Sequence, residues 1–363
     1  MRKLTFASGT GKKGELAKVW SGTIDGLYTS LSKLYQIEHC NVGIYNHGIM
    51  TLPLRIFDRL RFKFCDDDMN LLNEKLFRKF IKIDKNTPIL QFDETVWDKT
   101  HQQQYIFLDV SVNYLNRLRG QDKFVFNASA YKNITINAMK KREAYQNLFF
   151  DHAAGIFTMG NWLFHDMRKI FPKYANKIHH VGGGCSINKT LIDDSVEKEG
   201  NKLLFIGRDF KSKNGKKLIE AFRILHAKRK DTRLYIAGIE NNGIDIEGVT
   251  VLGLLEYDEL AKWYNRCDVF VMPSIFEAYG LVFIEALTFG LPCIGRDAYE
   301  MPYFIEENKT GMLLRGDAEE LANLMEYTLN NHKMREYVLE KRNYYLNEYS
   351  WTTVARRIQE VIN

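Results

Sequence analysis

Two glutamates in the C-terminal half have spacing and surroundings suited to ligand binding. Glu277 follows the apolar run DVFVMPS, and Glu285 lies eight residues later in an amphipathic stretch that begins at Leu281. Gly280, directly before that stretch, allows a ligand to approach the backbone closely. A helix N-terminus at this point would present partial positive charge at the carboxyl ends of the strands, where α/β sheets bind ligands. The pattern favours a phosphate site, with solvated carboxylates at a helix start as the alternative.

Two cations are expected at the same edge of the sheet. Arg208 directly follows the apolar run LLFIG, and Lys213 precedes the Asn214-Gly215 pair that opens the next amphipathic stretch. Arginine presents a planar fork to phosphate oxygens and lysine a compact charge, so the two could neutralise a diphosphate without a metal ion. The alternative is that a basic protein carries such residues on loops without a common role.

Composition limits the classes of partner. The chain of 363 residues has 51 lysines and arginines against 45 acidic residues, a net charge of +6, which favours acidic ligands. It lacks the basic blocks of a nucleic-acid-binding arm, so we expect no nucleic acid partner. No apolar stretch is long enough for a signal peptide or a membrane span. Five scattered cysteines fit neither a disulfide framework nor CxxC metal spacing, which predicts reduced thiols in a cytoplasmic protein.

The C-terminal half alternates short apolar runs with amphipathic segments, as parallel strands joined by crossover helices do. The predicted strands are LLFIG (203–207), RLYIAG (233–238), VTVLG (249–253), DVFVMPS (268–274) and PCIG (292–295). The predicted helices are 217–230, 258–266 and 281–289. Helical spacing of the apolar residues in these segments predicts an α/β sheet covered on both faces.

The N-terminal half predicts a second α/β unit. Its strand candidates are KLTFAS, YQIEHCNVGIY, PILQF, QYIFL and AAGIFTM, and a helical pattern covers 133–147. The run KIHHVGGGC contains three consecutive glycines, and a polar stretch follows it. We therefore place a domain boundary there, between domains 1–186 and 187–348. Residues 349–363 predict a helix with Ser350 as N-cap. Its apolar stripe requires burial and consists of Trp351, Val354, Ile358 and Val361.

A glycine-rich stretch follows the first predicted strand. Gly9, Gly11 and Gly14 satisfy GxGxxG, but the helix expected after them is interrupted, and Glu38 is the best candidate for the acidic partner of a dinucleotide site. A flexible glycine-rich loop is the preferred interpretation, and a nicotinamide site is the alternative. A second set of small residues, including Gly22 and Thr23, offers a helix entry whose free N–H groups could face a substrate.

Candidates for an acceptor site are weaker. Asp109 ends the run QYIFL, where an α/β ligand site would form, and could bind or activate an acceptor hydroxyl, although a capping role is the simpler alternative. His101, His152 and the pair at 179–180 are interpreted as structural. The basic amphipathic stretch 52–64 could lie on an anionic membrane surface and meet a lipid-linked acceptor, or form a partly buried helix.

These motifs together resemble the nucleotide-binding domain of glycosyltransferase family 4, retaining sugar transferases of the GT-B fold with an E-x7-E motif. The resemblance is specific over about residues 200–330 and loose over the first 185. It is carried by FIGRDFKSKNG, VTVLGLLEYDELAKWYNRCDVFVMPSIFEAYGLVFIEAL, GLPCIG and NKTGMLL. It implies two Rossmann-like domains facing a central cleft, with the terminal helix crossing back onto the first domain.

The resemblance also implies roles for single residues. The position of Glu277 contacts the donor sugar, that of Glu285 holds the ribose hydroxyls, and those of Arg208 and Lys213 bind the diphosphate. The donor site would be completed by Tyr279, Gly280 and Leu281, with the nucleobase near Leu254 and Leu255.

The expected activity is transfer of a hexose, with retention of configuration, from a UDP- or GDP-linked donor to a glycan or glycolipid in cell-surface polysaccharide synthesis. Front-face attack, assisted by the leaving phosphate, is the mechanism implied by the resemblance. No cofactor or metal is expected, and the location would be the cytoplasm or the inner face of the membrane. Two alternatives stay open: a non-catalytic relative that keeps only the fold, and a nicotinamide oxidoreductase that uses residues 9–14.

Overall fold

The chain divides into two compact units. The computed structural model describes residues 1–8, 22–41, 84–92, 101–185, 187–240 and 243–363. Unit 1 comprises Met1–Ser186 together with Ser350–Asn363, and unit 2 comprises Ile187–Tyr349. Gly9, Gly11, Gly14 and the basic stretch 52–64 lie outside the described residues.

Unit 1 contains a parallel sheet of six described strands in the order β2-β1-β3-β4-β5-β6. The strands are β1 (Lys3–Ser8), β2 (Gln36–Asn41), β3 (Ile89–Phe92), β4 (Gln104–Leu108), β5 (Gly155–Thr158) and β6 (Ile178–His180). The helices are α1 (Thr23–Leu31), α2 (Val112–Gln121), α3 (Lys123–Phe126), α4 (Ile136–His152) and α5 (Asn161–Ile170). Strands β3, β4 and β5 are buried at every position, as expected for a parallel sheet covered on both faces.

The helical pattern expected at 133–147 begins and ends later in the structure. Helix α4 begins after Thr135, whose hydroxyl accepts a hydrogen bond from the N–H of Ala138. This side-chain cap satisfies one of the free N–H groups of the first turn and sets the start of the helix.

The last helix of the chain, α13 (Trp351–Ile362), packs against α1 and β5 in unit 1. Ser350 caps it by accepting a hydrogen bond from the N–H of Thr353 at 3.2 Å. The indole of Trp351 lies so close to Gly26 that a Cβ built there would be 2.3 Å from Cδ1 of the indole. Three residues of the predicted apolar stripe, Trp351, Val354 and Ile358, are therefore buried, whereas Val361 is half-buried and Ile362 takes the buried position at the end of the helix.

Unit 2 contains a second parallel sheet, with its described strands in the order β12-β11-β10-β7-β8-β9. The strands are β7 (Lys202–Ile206), β8 (Arg233–Ala237), β9 (Val249–Gly253), β10 (Val269–Met272), β11 (Cys293–Arg296) and β12 (Gly311–Leu314). The helices are α6 (Gly215–Lys228), α7 (Tyr257–Arg266), α8 (Leu281–Thr288), α9 (Met301–Phe304), α10 (Ala318–Asn330), α11 (His332–Glu340) and α12 (Arg342–Glu348). The expected α/β class is confirmed in both units.

Strand order in unit 2 brings the two candidate loops together. Strands β7 and β10 are direct neighbours, paired in parallel through Val269 with Leu203 and Phe270 with Leu204. The loops that follow these strands carry the predicted cations and the first predicted glutamate, and they leave the sheet at the same edge. Among the described helices, none is both long and apolar enough to cross a membrane.

Candidate donor site

The loop after β7 is a tight turn that ends at Lys213. The Asp209 carboxylate accepts hydrogen bonds from the N–H groups of Lys211 and Ser212, each at 3.2 Å, and the Asp209 carbonyl accepts from the N–H of Lys213 at 3.0 Å. Asn214 then adopts a left-handed conformation, with φ of 60°, as the N-cap residue of α6. Asparagine tolerates this conformation better than most residues, which explains how the turn closes without a glycine at position 214.

Lys213 pairs with Glu277 from the neighbouring loop. Its Nζ lies 2.5 Å from Oε2 of Glu277, and the two side chains are only 23% and 16% exposed. A Cβ built at Gly207 would lie 2.9 Å from Cγ of Lys213, so the lysine stem runs directly over Gly207. A charge pair that is largely withdrawn from water is less screened than a surface pair, which gives this contact a defined geometry.

A backbone hydrogen bond joins the two loops beside this pair. The N–H of Ile275 donates to the carbonyl of Ser212 at 2.9 Å, and both residues are buried. The contact lies one residue from Lys213 and two residues from Glu277. The ion pair therefore joins two loops that a buried backbone hydrogen bond already holds together, and not two independent surface segments.

The helix that begins after this loop is oriented by Gly280. Gly280 has φ of 92°, a left-handed conformation that favours glycine, and it is the N-cap residue of α8. A Cβ at this position would lie 3.2 Å from Cγ of Glu277 and 2.9 Å from Cε of Met301. The first turn of α8, beginning at Leu281, therefore lies close to Glu277, and its free N–H groups add partial positive charge there.

Glu285 lies one turn further along α8 and is held by a tyrosine of α7. Its Oε2 accepts a hydrogen bond from the hydroxyl of Tyr264 at 2.8 Å. Tyr264 is fully buried and stacks on Phe289, with ring centroids 5.1 Å apart. Sequence reasoning did not identify Tyr264, although its position on the inner face of an amphipathic helix is the signal that could have found it.

The other predicted donor-site residues of unit 2 lie near this loop or at the same edge. Arg208 directly follows Gly207, and its side chain is exposed without a hydrogen bond or ion pair among the described residues. Leu254, 65% exposed, and the half-buried Leu255 follow β9 and precede α7. Tyr279 is different because its side chain is only 4% exposed and meets Phe304 edge-on at 5.1 Å.

The candidates in unit 1 are more dispersed. Asp109 is half-buried directly after β4, and the helix that follows is capped by Ser111, whose hydroxyl accepts from the N–H of Tyr114 at 3.1 Å. Gly22, with φ of 84°, precedes α1, and Thr23 is buried at its first position.

The histidines of unit 1 differ in their surroundings. His101 is buried beside β4, and His152 is exposed, with its Nδ1 2.9 Å from the carbonyl of Leu148 in its own helix. Among the described residues, no group of three potential metal ligands includes the pair at 179–180 or any other histidine. The structure also shows a contact not predicted from the sequence, between the Ser8 hydroxyl and Nε2 of His39 at 2.9 Å. Burial lowers the pKa of His39.

In unit 2, groups that can bind an anion lie next to groups that can bind hydroxyls. The lysine ammonium and the helix N-terminus offer positive charge, while the two carboxylates can accept hydrogen bonds from hydroxyl groups. Lys213 has three N–H donors, so it can bind a phosphate oxygen while it keeps one contact with Glu277.

Comparison with known proteins supports this interpretation. Residues 188–343 match the family model described as glycosyl transferases group 1. The sulfoquinovosyl transferase SQD2 of Arabidopsis thaliana is 35% identical over 111 residues, which are 30% of this chain and 22% of that protein. The capsular polysaccharide biosynthesis glycosyltransferase CapM of Staphylococcus aureus is 27% identical over 185 residues, 45% of this chain and 49% of that protein. The chain thus spans half the length of these relatives or less.

A solved structure covers nearly the whole chain. The crystal structure of WaaG, a glycosyltransferase involved in lipopolysaccharide biosynthesis, matches with a TM-score of 0.65 at 12% identity and covers 99% of both chains. Identity this low carries information on the fold alone. Residues 188–343 therefore resemble the group 1 glycosyl transferases, and the two units of the chain have the fold of the GT-B glycosyltransferases.

Proposed function

We propose that this chain is a retaining glycosyltransferase that moves a hexose from a UDP- or GDP-linked donor to a glycan or glycolipid acceptor in cell-surface polysaccharide synthesis. The observation that carries the proposal is the Lys213–Glu277 pair beside the N-terminus of α8, the helix that bears Glu285. The family match over 188–343 includes these residues, and the name of the relative CapM supports the polysaccharide role.

The charges at this site suit the cleavage of a glycosyl phosphate bond. That reaction builds positive charge on the sugar and negative charge on the departing nucleotide diphosphate. Lys213, Arg208 and the N-terminus of α8 would stabilise the leaving group, and the leaving phosphate would help to take the proton of the acceptor hydroxyl. Because these groups supply fixed positive charge, the proposal requires no metal ion.

The carboxylates would then orient the donor. Glu277 would accept hydrogen bonds from sugar hydroxyls, and Glu285, held by Tyr264, would bind the ribose hydroxyls. Leu254 and Leu255 would border the nucleobase, while the backbone around Tyr279 and the first turn of α8 would approach the donor.

The acceptor side of the proposal rests on unit 1. Asp109, at the carboxyl end of β4, would bind or activate the acceptor hydroxyl. We expect the protein to act in the cytoplasm or at the inner face of the membrane, because buried free thiols such as Cys40 and Cys267 suit a reducing compartment. The stretch 52–64 would provide membrane contact, which predicts binding to anionic liposomes at low salt.

Donor consumption tests the proposal. The full chain is incubated with a panel of UDP- and GDP-hexoses, and release of the nucleotide diphosphate is measured with and without glycan or glycolipid acceptors. NMR of the anomeric proton of the first sugar product then reports configuration. We expect release from one donor class and an anomer of the same configuration as the donor. Product of inverted configuration would contradict the proposed stereochemistry, and no release from any donor would contradict the activity.

A further inference from the structure

The loop that carries Glu277 is braced along its length by the segment 296–304, which we call the brace. Four contacts join the two segments. Nη1 of Arg296 donates to the carbonyl of Ile275 at 2.6 Å. The remaining contacts pair Tyr299 with Phe276, Phe304 with Tyr279 and Met301 with Gly280. The brace therefore contacts the loop on both sides of Glu277 in the sequence.

Tyr299 is the unusual member of the brace. Its φ is 57°, in the left-handed region where side chains with a Cβ are strained. Among the described residues, the other non-glycine residues with positive φ are Asn214 and Asn308, and asparagine tolerates this conformation. A bulky residue held in a strained conformation persists only where its surroundings require it, and such positions cluster at functional sites.

The surroundings of the Tyr299 ring indicate what it does. It meets the ring of Phe276 at a centroid distance of 4.9 Å and an angle of 73°, the edge-to-face geometry that aromatic pairs prefer. Both side chains are half-buried. Phe276 directly precedes Glu277, so its ring fixes the backbone from which the carboxylate extends toward Lys213. A glycine at 299 would relieve the strain but would leave Phe276 without this contact.

We propose that Tyr299 is a positioning residue that fixes the Glu277 carboxylate for the donor sugar by holding the Phe276 ring. This role rests on the proposed function, because it assigns Tyr299 to the placement of the sugar in the donor site. In the proposed function the nucleotide would be bound by other groups, namely Lys213, Glu285 and the N-terminus of α8. Loss of the ring at 299 should therefore affect the reaction of the sugar more than the binding of the nucleotide.

Three substitutions separate the ring from the backbone conformation. Tyr299→Gly and Tyr299→Asn both suit positive φ but lack the ring, whereas Tyr299→Phe keeps the ring and the strain. We measure nucleotide diphosphate affinity by calorimetry, kcat and KM for donor consumption, and the thermal unfolding temperature. For the glycine and asparagine variants we expect nucleotide affinity within about twofold of wild type, kcat lowered about tenfold or more, and an unfolding temperature that is unchanged or higher. Tyr299→Phe should restore wild-type kcat.

Two results would overturn this role: wild-type kcat in Tyr299→Gly, or a Tyr299→Phe variant as slow as the glycine variant. A parallel loss of nucleotide affinity and unfolding temperature in Tyr299→Gly would also overturn it, because that combination indicates general damage to unit 2. Failure of the proposed function looks different, since the wild-type chain itself would then consume no nucleotide sugar.

Discussion

Lys213 and Glu277 lie on loops that follow neighbouring strands, and their side chains meet at 2.5 Å from Nζ to Oε2. A donor phosphate bound by Lys213 must therefore share the ammonium group with a carboxylate. The pair links the proposed phosphate site to the proposed sugar site. A change in either residue should therefore have opposite effects on the binding of the phosphate and on the reaction of the sugar.

Replacing Glu277 with glutamine tests this link. Glu277→Gln keeps the shape of the side chain but removes its negative charge from Lys213. We expect nucleotide diphosphate affinity to be unchanged or severalfold higher, while kcat for donor consumption falls by about 10²-fold because the sugar hydroxyls lose a charged acceptor. Calorimetry and steady-state rates measure the two quantities. Glu220→Gln, on the exposed face of α6, is the control and should change neither. Weaker nucleotide binding by Glu277→Gln would contradict the link.

The close approach at Gly280 predicts a packing effect that backbone strain alone would not produce. Gly280→Ala and Gly200→Ala both place a Cβ at positive φ, with φ of 92° and 71°, but only the first crowds Met301 and Glu277. We expect each to destabilise the protein by about 1–2 kcal/mol from the backbone, with a further loss at Gly280 from overpacking. Only Gly280→Ala should also weaken nucleotide binding. Equal unfolding free energies and intact nucleotide binding in both variants would show that the close approach of Gly280 to Met301 and Glu277 matters neither for stability nor for nucleotide binding.

The hydrogen bond from Tyr264 to Glu285 predicts a graded effect on nucleotide affinity. Tyr264→Phe removes only the hydroxyl, so Glu285 keeps its charge but loses one contact that orients it. We expect a loss of about threefold to tenfold in nucleotide affinity, in line with about 1 kcal/mol for one hydrogen bond. Glu285→Ala should cause the larger loss. Titrations of both variants with UDP and GDP measure the effect, and a Tyr264→Phe variant more impaired than Glu285→Ala would contradict the order.

Unit 1 should lose stability in mild acid because of two half-buried histidines. Burial lowers the pKa of His39 and of His179 below the ordinary value. Below about pH 6.5 the unfolded chain therefore binds more protons than the folded chain. The contribution of these histidines to the free energy of unfolding is complete above that pH and is lost as the pH falls below it. His39→Gln removes one of the two contributions. The unfolding temperature of the variant should therefore decrease less than that of wild type between about pH 7.5 and 5.5. Parallel decreases would exclude His39 as a source of the acid sensitivity.

Much of the fold of unit 2 follows from the sequence because its apolar runs are short, clearly bounded and buried. Strand β9 has the expected bounds, and β7 and β11 are displaced by one residue. The start of α6 is two residues earlier than expected because Asn214 adopts a left-handed conformation, which apolar periodicity does not reveal. The strand in NKTGMLL was recognised as a motif, and the structure identifies it as β12 at the sheet edge.

The site was predictable in part. Lys213 and Glu277 follow apolar runs, and Gly280 and Glu285 belong to the start of an amphipathic stretch, so the sequence places all four near the carboxyl edge of a sheet. The pairing of β7 with β10, which brings the two loops together, is seen only in the structure. The contacts that hold them were not predictable in this way. Tyr264 and Tyr299 reach the site through side-chain packing between distant segments. Helical periodicity indicates that Tyr264 is buried, but a single sequence does not show which residue it or Tyr299 contacts.

Nucleotide diphosphate binding by a matched pair of lysine variants tests the central claim most directly. Lys213→Met removes the ammonium that meets Glu277, while Lys216→Met removes the ammonium of a side chain on α6 that is 91% exposed. Calorimetric titration with UDP and GDP should show tight binding by wild type and Lys216→Met, and a loss of about tenfold or more in Lys213→Met, reflecting a lost charge-assisted contact to phosphate. Equal affinities in the two variants would contradict a diphosphate site at Lys213.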